Sequence, residues 1–213
     1  GQPDLAVEPR QQGGKIRFFH DFSSPFSYLA STQIQRIADR HGAQLEWSPI
    51  LLGGLFREIG TADVPLFEMN APKRAYMARD LKDWSQWWQV PFSFPGQFPI
   101  RTVTALRVAI AAPETTPHVY RAAWADNLPI GDDAVLAEVL EKAGFDAEAL
   151  LEAAQTPEVK MQLRLNTQAA RDAGACGVPT FEVHRDEKKL LVWGQDRLQM
   201  VEHALQGWYP TCG

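Results

Sequence analysis

The chain has 213 residues, of which 45% are hydrophobic and 22% are charged, and its net charge at pH 7 is −5. These fractions are ordinary for a globular protein, and they exclude intrinsic disorder over most of the chain. The acidic balance, without any block of Lys and Arg, gives nucleic-acid binding no electrostatic support, and no apolar run reaches the ~18 residues that a membrane span needs.

The first 14 residues are polar and rich in Pro and Gly, and they contain no apolar segment of the kind that signal peptides carry. We therefore expect residues 1–14 to be a disordered lead-in. The two cysteines, Cys176 and Cys212, have neither a CxxC nor a metal-type spacing. We expect no disulfide framework, and a reducing cytoplasmic location follows as the simplest expectation.

Residues 16–48 have the pattern of a β-α-β unit. Residues 16–20 predict a short strand, and apolar residues then recur at steps of three and four over residues 26–38, which predicts a helix. Ser24 suits the N-cap of that helix, and Pro25 suits its first position. Residues 45–48 predict a second strand, parallel to the first.

From about residue 51 to residue 174 the pattern is almost wholly helical. The predicted helices cover residues 72–89, 102–112, 117–124, 132–143, 146–154 and 157–173, with Pro, Gly or Asp between them. The first of these helices carries Trp84, Trp87 and Trp88 on one face. Such a stripe at helical spacing is more typical of a core than of a ligand site.

Strand patterns return near the end of the chain. Residues 180–183 and 190–193 predict a hairpin around a turn at residues 185–188, and residues 196–205 predict a last helix. The order β-α-β, then helices, then β-β-α is that of an α/β, thioredoxin-like fold with a large all-α insertion. We predict a thioredoxin-like domain of residues 15–55 and 174–213 and a helical insertion domain of residues 56–173.

Residues 24–27, Ser-Pro-Phe-Ser, lie where the first strand gives way to the first helix. The free N–H groups and the dipole of a helix start favour an anion, and thiol-disulfide oxidoreductases have Cys-x-x-Cys at this position. A hydroxyl cannot exchange disulfides, but the Ser24 hydroxyl can donate a hydrogen bond to the thiolate of another molecule. The alternative is a plain N-cap.

Two further motifs lie at the ends of the last strands. In Gly177-Val178-Pro179-Thr180, a cis bond before Pro179 would leave the Val178 backbone free to pair with a peptide-like ligand. The alternative is a trans Pro that opens a strand. In residues 193–198, Asp196 either stabilises the first turn of the last helix or receives a ligand ammonium.

These motifs together resemble the 2-hydroxychromene-2-carboxylate isomerase family, which comprises DsbA-like relatives of the kappa-class glutathione transferases. The resemblance covers residue 15 to about residue 206. It is carried by residues 21–30 (DFSSPFSYLA), 49–54 (PILLGG), 73–77 (KRAYM), 177–181 (GVPTF) and 193–198 (WGQDRL).

The resemblance implies that glutathione is the cofactor. It places Ser24 against the glutathione sulfur and the Val178 backbone, beside a cis Pro179, against the tripeptide. It places Gln195 and Asp196 against the γ-glutamyl end, and it adds Asn70 as a further glutathione contact. The chain departs from the family at Cys176, where Phe is common, and in residues 98–102, which lack the usual Asn.

The implied function is isomerisation of a small aromatic carboxylate in aromatic-compound degradation, by thiolate addition, bond rotation and elimination. The candidates for substrate contact are Lys73, Tyr76, Trp84 and Arg101. Two alternatives are a kappa-class-like glutathione transferase and a non-catalytic thioredoxin-fold binding protein. The family also suggests a homodimer. The five histidines are scattered, and we predict no metal site.

Overall fold

The computed structural model describes residues 13–211. Residues 1–12 of the predicted lead-in, and Cys212, lie outside the described residues. No helix in the described range is both long enough and apolar enough to cross a membrane.

Within this range the chain forms four strands and ten α-helices, with two short 3₁₀ turns. In chain order the elements are β1 (Lys15–His20), α1 (Pro25–Arg40), β2 (Gln44–Pro49), α2 (Leu52–Ile59), α3 (Pro65–Glu68), α4 (Ala71–Trp87), α5 (Val103–Ala111), a 3₁₀ turn (Pro113–Thr115), α6 (Thr116–Trp124), α7 (Asp133–Lys142), α8 (Ala147–Ala153), α9 (Pro157–Asp172), β3 (Thr180–Arg185), β4 (Lys188–Trp193), a 3₁₀ turn (Gln195–Arg197) and α10 (Leu198–Leu205).

The four strands form one mixed sheet in the order β2-β1-β3-β4. β1 and β2 are parallel, as predicted, and α1 supplies the crossover that a parallel pair requires. β3 runs antiparallel to both β1 and β4, and the hairpin turns at Asp186, whose φ is 53°. This arrangement confirms the thioredoxin-like fold with a helical insertion.

Both faces of the sheet are covered, which explains why two consecutive aromatic residues of β1 are fully buried. Successive side chains of a strand point to opposite faces. Phe18 points towards α1 and α10, where its ring stacks on Phe181 with 5.1 Å between ring centroids. Phe19 points to the other face, where it packs with Ile50 and Leu55.

The helical region has a core of its own, and that core reaches the β1–α1 turn. Trp124 of α6 is fully buried, and its indole Nε1–H donates a 2.7 Å hydrogen bond to the backbone carbonyl of Phe22. The ring of Phe22 packs against Tyr120, with 4.6 Å between centroids. The insertion therefore supports the turn that leads into α1.

Two expectations about the helices are wrong in detail. Trp87 does not share a buried face with Trp84 and Trp88, because it is 78% exposed while the rings of the other two pack 4.9 Å apart. Residues four apart share a helix face, whereas Trp87 is rotated by about 100° from Trp88. The last α-helix begins at Leu198 rather than at Asp196, which lies in the preceding 3₁₀ turn.

Candidate active site

Ser24 connects two segments that lie near opposite ends of the sequence. It is the N-cap of α1, and its Oγ accepts a 3.1 Å hydrogen bond from the Ser27 backbone N–H. The same hydroxyl donates a 3.4 Å hydrogen bond to the Val178 carbonyl. Ser24 is buried and only 6% exposed. The predicted cap is confirmed, and it lies directly beside the second sequence motif.

The Val178–Pro179 peptide bond is cis, as the resemblance implied. Among residues 13–211, the Val178 backbone N–H donates no hydrogen bond and is available to a ligand. The Val178 carbonyl already accepts a hydrogen bond from Ser24, and its second lone pair can accept another from a ligand. The hydroxyl sits here because α1 and the Pro179 loop meet at this end of the sheet.

The third motif packs onto the same loop. The Gly194 N–H donates a 3.0 Å hydrogen bond to the Pro179 carbonyl. Gly177 lies so close to Trp193 that a Cβ there would be 3.0 Å from the indole Nε1, which explains why the position is a glycine. The three motifs, more than 150 residues apart at their extremes, therefore form one site.

Gln195 and Asp196 open onto a small cavity between α1, α4 and the second 3₁₀ turn. The cavity has a volume of about 290 Å³, and Trp84 and Arg36 are among its lining residues. Gln195 is 2% exposed, and within the described part of the chain its side-chain Oε1 accepts no hydrogen bond. An acceptor left unpaired in this way favours a ligand that brings an N–H group.

Asp80 of α4 lies close enough to Asp196 for their charges to interact, although it does not line the cavity, and the sequence analysis missed it. Burial, and then the negative charges of Asp196 and Asp83, raise the pKa of the Asp80 carboxyl. Asp80 and Asp196 thus form a pair of neighbouring carboxylates that suits a cationic ligand group. The available signal was its position four residues before Trp84, which places both on one helix face.

The structure does not bring the four candidates for substrate contact together. Trp84 lines the cavity of Gln195 and Asp196, whereas Arg101 lines a different cavity of about 380 Å³ beside Ser23. Lys73 and Tyr76 are exposed on α4 and line neither cavity. The Tyr76 ring instead lies under the Arg79 guanidinium, 5.1 Å from it.

Asn70 is the N-cap of α4. Its Oδ1 accepts a 3.0 Å hydrogen bond from the Lys73 backbone N–H, and the residue is exposed. The cap leaves the Asn70 side-chain amide N–H groups pointing away from that bond, where they remain available as donors. A glutathione contact by Asn70 stays a prediction.

Asp21 ties together three loops at this end of the sheet. Its carboxylate accepts hydrogen bonds from the Ser23 N–H at 3.0 Å, the Leu52 N–H at 2.8 Å and the Thr102 hydroxyl at 2.8 Å. Burial raises the pKa of this carboxyl, and the three hydrogen bonds oppose that rise. These hydrogen bonds of Asp21 hold the turn before Ser24 in place.

His20 lies beside Asp21, fully buried at the end of β1. Its Nδ1 shares a 2.8 Å hydrogen bond with the Tyr120 hydroxyl. Burial lowers the pKa of His20 from 6.5 to about 3, so the imidazole is neutral at pH 7. Sequence reasoning treated this histidine only as one of five scattered ones, because burial is not visible in a local pattern.

Fold and site together define a thioredoxin-fold protein in which serine replaces the thiols at the start of the first helix. The family model for the DSBA-like thioredoxin domain matches residues 15–206, and the chain belongs to that family. Within residues 13–211, no three His, Cys, Asp or Glu side chains are grouped so as to hold a metal ion.

Relatives of this chain include enzymes of two kinds. Glutathione S-transferase kappa 1 of Homo sapiens is 30% identical over an alignment of 206 residues. The alignment covers 89% of this chain and 90% of that protein. A 2-hydroxychromene-2-carboxylate isomerase of a Pseudomonas species is 30% identical over 196 residues, 90% of each chain.

A solved structure titled as 2-hydroxychromene-2-carboxylate isomerase superposes on this chain with a TM-score of 0.78. The two share 26% identity, and the match covers 90% of this chain and 94% of that one. These findings confirm the family resemblance and the prediction that the protein is an enzyme.

Proposed function

We propose that this protein is a glutathione-dependent isomerase of a small aromatic carboxylate of the 2-hydroxychromene-2-carboxylate type. The observation that carries the proposal is the place of Ser24, whose hydroxyl caps α1 beside the cis Val178–Pro179 bond. A hydroxyl at this position can stabilise a thiolate without exchanging disulfides. The relatives named as isomerases support this assignment.

The described residues fit the separate parts of glutathione. The Val178 N–H can donate a hydrogen bond to the peptide backbone of glutathione. The Ser24 hydroxyl lies beside it, since it is hydrogen-bonded to the Val178 carbonyl. At the other end, the carboxylates of Asp80 and Asp196 suit an ammonium, and the unpaired Gln195 Oε1 suits an N–H donor. The γ-glutamyl end of glutathione carries the ammonium that this arrangement accepts.

Bound glutathione supplies a thiolate that adds to the conjugated substrate, permits rotation about the new single bond and is eliminated unchanged. A free thiol has a pKa of about 8.5 and is mostly protonated at pH 7. On glutathione binding, the single Ser24 hydroxyl proton would turn from the Val178 carbonyl to the sulfur. The N-terminal N–H groups of α1 would add a positive field, so both would lower the thiol pKa.

The cavity beside Ser23 supplies a place for the substrate. It has a volume of about 380 Å³, and its apolar lining includes Leu52, Ile100 and Val103, on which a flat ring can pack. The guanidinium groups of Arg57 and Arg101 line the same cavity and can pair with a carboxylate. Substrate and thiolate would thus meet at the β1–α1 turn.

A glutathione transferase is the second candidate function, and the kappa-class relatives favour it. The same thiolate site serves both reactions. The difference is that a transferase consumes glutathione, whereas an isomerase returns it. Glutathione consumption therefore separates the two.

The experiment is a panel of hydroxychromene carboxylates incubated with the enzyme, with and without glutathione, and followed by ultraviolet absorbance. Free thiol is titrated before and after. We expect conversion only with glutathione, and no loss of thiol. Loss of thiol in step with conversion would establish the transferase, and no conversion of any hydroxychromene carboxylate would overturn the isomerase assignment.

A further inference from the structure

A third cavity lies between α2, α5 and α9, on the far side of Leu51 and Val103 from the candidate substrate cavity. Its volume is about 650 Å³, and Leu51 and Val103 contribute to the walls of both cavities. Leu163 of α9 adds a third apolar side chain. A cavity of this size is in the range that holds small organic ligands.

Positive charge dominates the lining of this cavity, although the chain as a whole has a net charge of −5. Four cationic side chains line it, against the single carboxylate of Glu58. The four are Arg107, Lys160, Arg164 and Arg171.

Three of these four cations have no acidic partner. Arg171 is paired with Glu58 at 2.9 Å and with Asp172 at 3.0 Å. Within residues 13–211, no carboxylate lies within 4.0 Å of the charged nitrogens of the other three. The positive charge at this cavity is therefore not neutralised by the protein.

Arg107 adds an independent observation. Its Nε is buried, and no described residue accepts a hydrogen bond from it. Buried N–H groups in folded proteins are almost always paired, since leaving one unpaired costs stability. An anion in the cavity would accept this hydrogen bond and meet the charge of the guanidinium at once.

The α9 side of the cavity is a stripe of long side chains. Lys160, Arg164 and Arg171 lie four and then seven residues apart, which places them along one helix face. Leu163 lies next to this stripe and is 5% exposed. The surface thus combines a row of cations with an apolar floor, as an amphipathic anion requires.

We propose that this cavity is a second ligand site, separate from the glutathione site, and that it binds an organic anion with an apolar body. The anionic group contacts Arg107, Lys160 and Arg164, and the apolar body packs on Leu51, Val103 and Leu163. The chemical class is a carboxylate with a medium-length hydrocarbon chain or a compact ring system. The proposal does not depend on the isomerase activity.

The test measures the binding of decanoate and of decanol to the full chain by titration calorimetry. We expect decanoate to bind at least tenfold more tightly than decanol, and its affinity to fall as salt rises, since the cations are partly exposed. Arg107→Gln and Arg164→Gln should each weaken decanoate binding about tenfold. Lys142→Gln, which removes an exposed cation of α7 outside the cavity, should change nothing.

Saturating glutathione provides the second arm. Decanoate affinity should be the same with and without glutathione, and the methyl NMR signals of Leu163 should shift on decanoate addition. Equal binding of decanoate and decanol, or unchanged binding in both variants, overturns the proposal. Competition by glutathione also overturns it, because the ligand would then lie in the catalytic site. If Arg107→Gln does not fold, Arg164→Gln and Lys160→Gln decide the question.

Discussion

The candidate active site has two ends that are built in different ways. The first, called the thiol end because we propose that the glutathione thiol binds there, consists of Ser24, Val178 and Pro179. All three are buried, where strands of the sheet and α1 end or begin. The second, called the ammonium end because we propose that the γ-glutamyl ammonium binds there, consists of side chains on α4 and on the second 3₁₀ turn. Among these, Asp196 is exposed. The first end is positioned by the fold, whereas the second depends on which residues of a surface helix face the turn.

This difference predicts different responses to substitution. Residues held by packing and backbone hydrogen bonds are pre-organised for chemistry, so changes there act on rate. Exposed charges are screened by solvent and contribute less each, so changes there act mildly on binding. The experiments below test whether the two ends separate in this way.

The largest effect is expected for Ser24→Ala. Loss of a charge-assisted hydrogen bond of roughly 1.5–3 kcal/mol would slow turnover about 10- to 200-fold. The pH–rate profile should move to higher pH, because the bound thiol ionises later without its donor. Steady-state kinetics with the chromene substrate, from pH 6 to pH 9, measure both effects.

Ser27→Ala is the matched control for Ser24. Ser27 is also a buried serine of the first turn of α1, but its hydroxyl lies near the Tyr120 hydroxyl and makes no hydrogen bond to the Val178 carbonyl. It should retain nearly full turnover. As a cap alone, Ser24 contributes about 1 kcal/mol to stability. A Ser24→Ala enzyme that is slightly less stable yet equally fast at neutral pH would show that Ser24 is only a cap.

Acid should destabilise the thiol end through His20. Its pKa is about 3 in the fold and 6.5 when exposed, so unfolding takes up a proton between these values. The stability contributed by neutral His20 is present above pH 6.5 and is lost as the pH falls towards 3, at about 1.4 kcal/mol per pH unit. Urea unfolding from pH 7 to pH 4 should show this slope.

The variants His20→Phe and Tyr120→Phe isolate the cause of this slope. His20→Phe removes the titrating group, so the number of protons taken up on unfolding should fall by about one and the slope should become flatter. Tyr120→Phe removes only the partner of the 2.8 Å hydrogen bond and should keep the slope at a lower stability. Asp21 has the opposite sign, because its raised pKa makes the fold gain stability as the pH falls towards 3.8, where the gain is complete. An unchanged slope in His20→Phe would assign the acid response elsewhere.

The sequence predicted the backbone geometry around Ser24 and Pro179 well and the packing of α4 poorly, for a physical reason. Ser24, the cis Pro179 and the Gly194 turn lie in short segments whose residue types are dictated by backbone conformation. Glycine at 194, for example, has a φ of 111°, which residues with a Cβ rarely adopt. Such constraints are local, so a motif can reveal them.

The α4 side of the ammonium end could not be predicted in the same way, because it depends on how α4 lies against the last 3₁₀ turn. The periodicity of α4 identified a helix but not the face that approaches Asp196. Trp87 was therefore placed on the wrong side, and Asp80 was missed. The fold class needed only element order, whereas this part of the site needed tertiary packing.

Asp196→Asn should produce an intermediate effect at the ammonium end. We expect glutathione to bind about three- to tenfold more weakly, since one charged partner of an exposed site is lost. The pKa of Asp80 should fall as well, because the like charge that raises it is removed. Calorimetry measures the affinity, and carboxyl NMR titration measures the pKa.

Asp83→Asn is the control for this change. Asp83 also raises the pKa of Asp80, but its carboxylate lies 3.7 Å from Arg79 and does not line the cavity of Gln195. It should lower the pKa of Asp80 while leaving glutathione affinity within about twofold. Equal losses of affinity in both variants would mean that general charge, and not the Asp80–Asp196 pair, attracts the ligand.

The smallest effect is expected for Arg101→Gln, which tests how the substrate cavity fits this division. Arg101 is exposed at the rim of the cavity beside Ser23, so its attraction for a substrate carboxylate is screened by solvent. We expect KM for the chromene carboxylate to rise about two- to fivefold with kcat nearly unchanged. Glutathione affinity should stay the same, because this cavity lies apart from Asp196. Arg74→Gln, an exposed arginine of α4 that lines neither cavity, should leave KM unaltered. A kcat loss in Arg101→Gln, with KM unchanged, would instead place this guanidinium in the reaction itself and make the exposed rim part of the catalytic end.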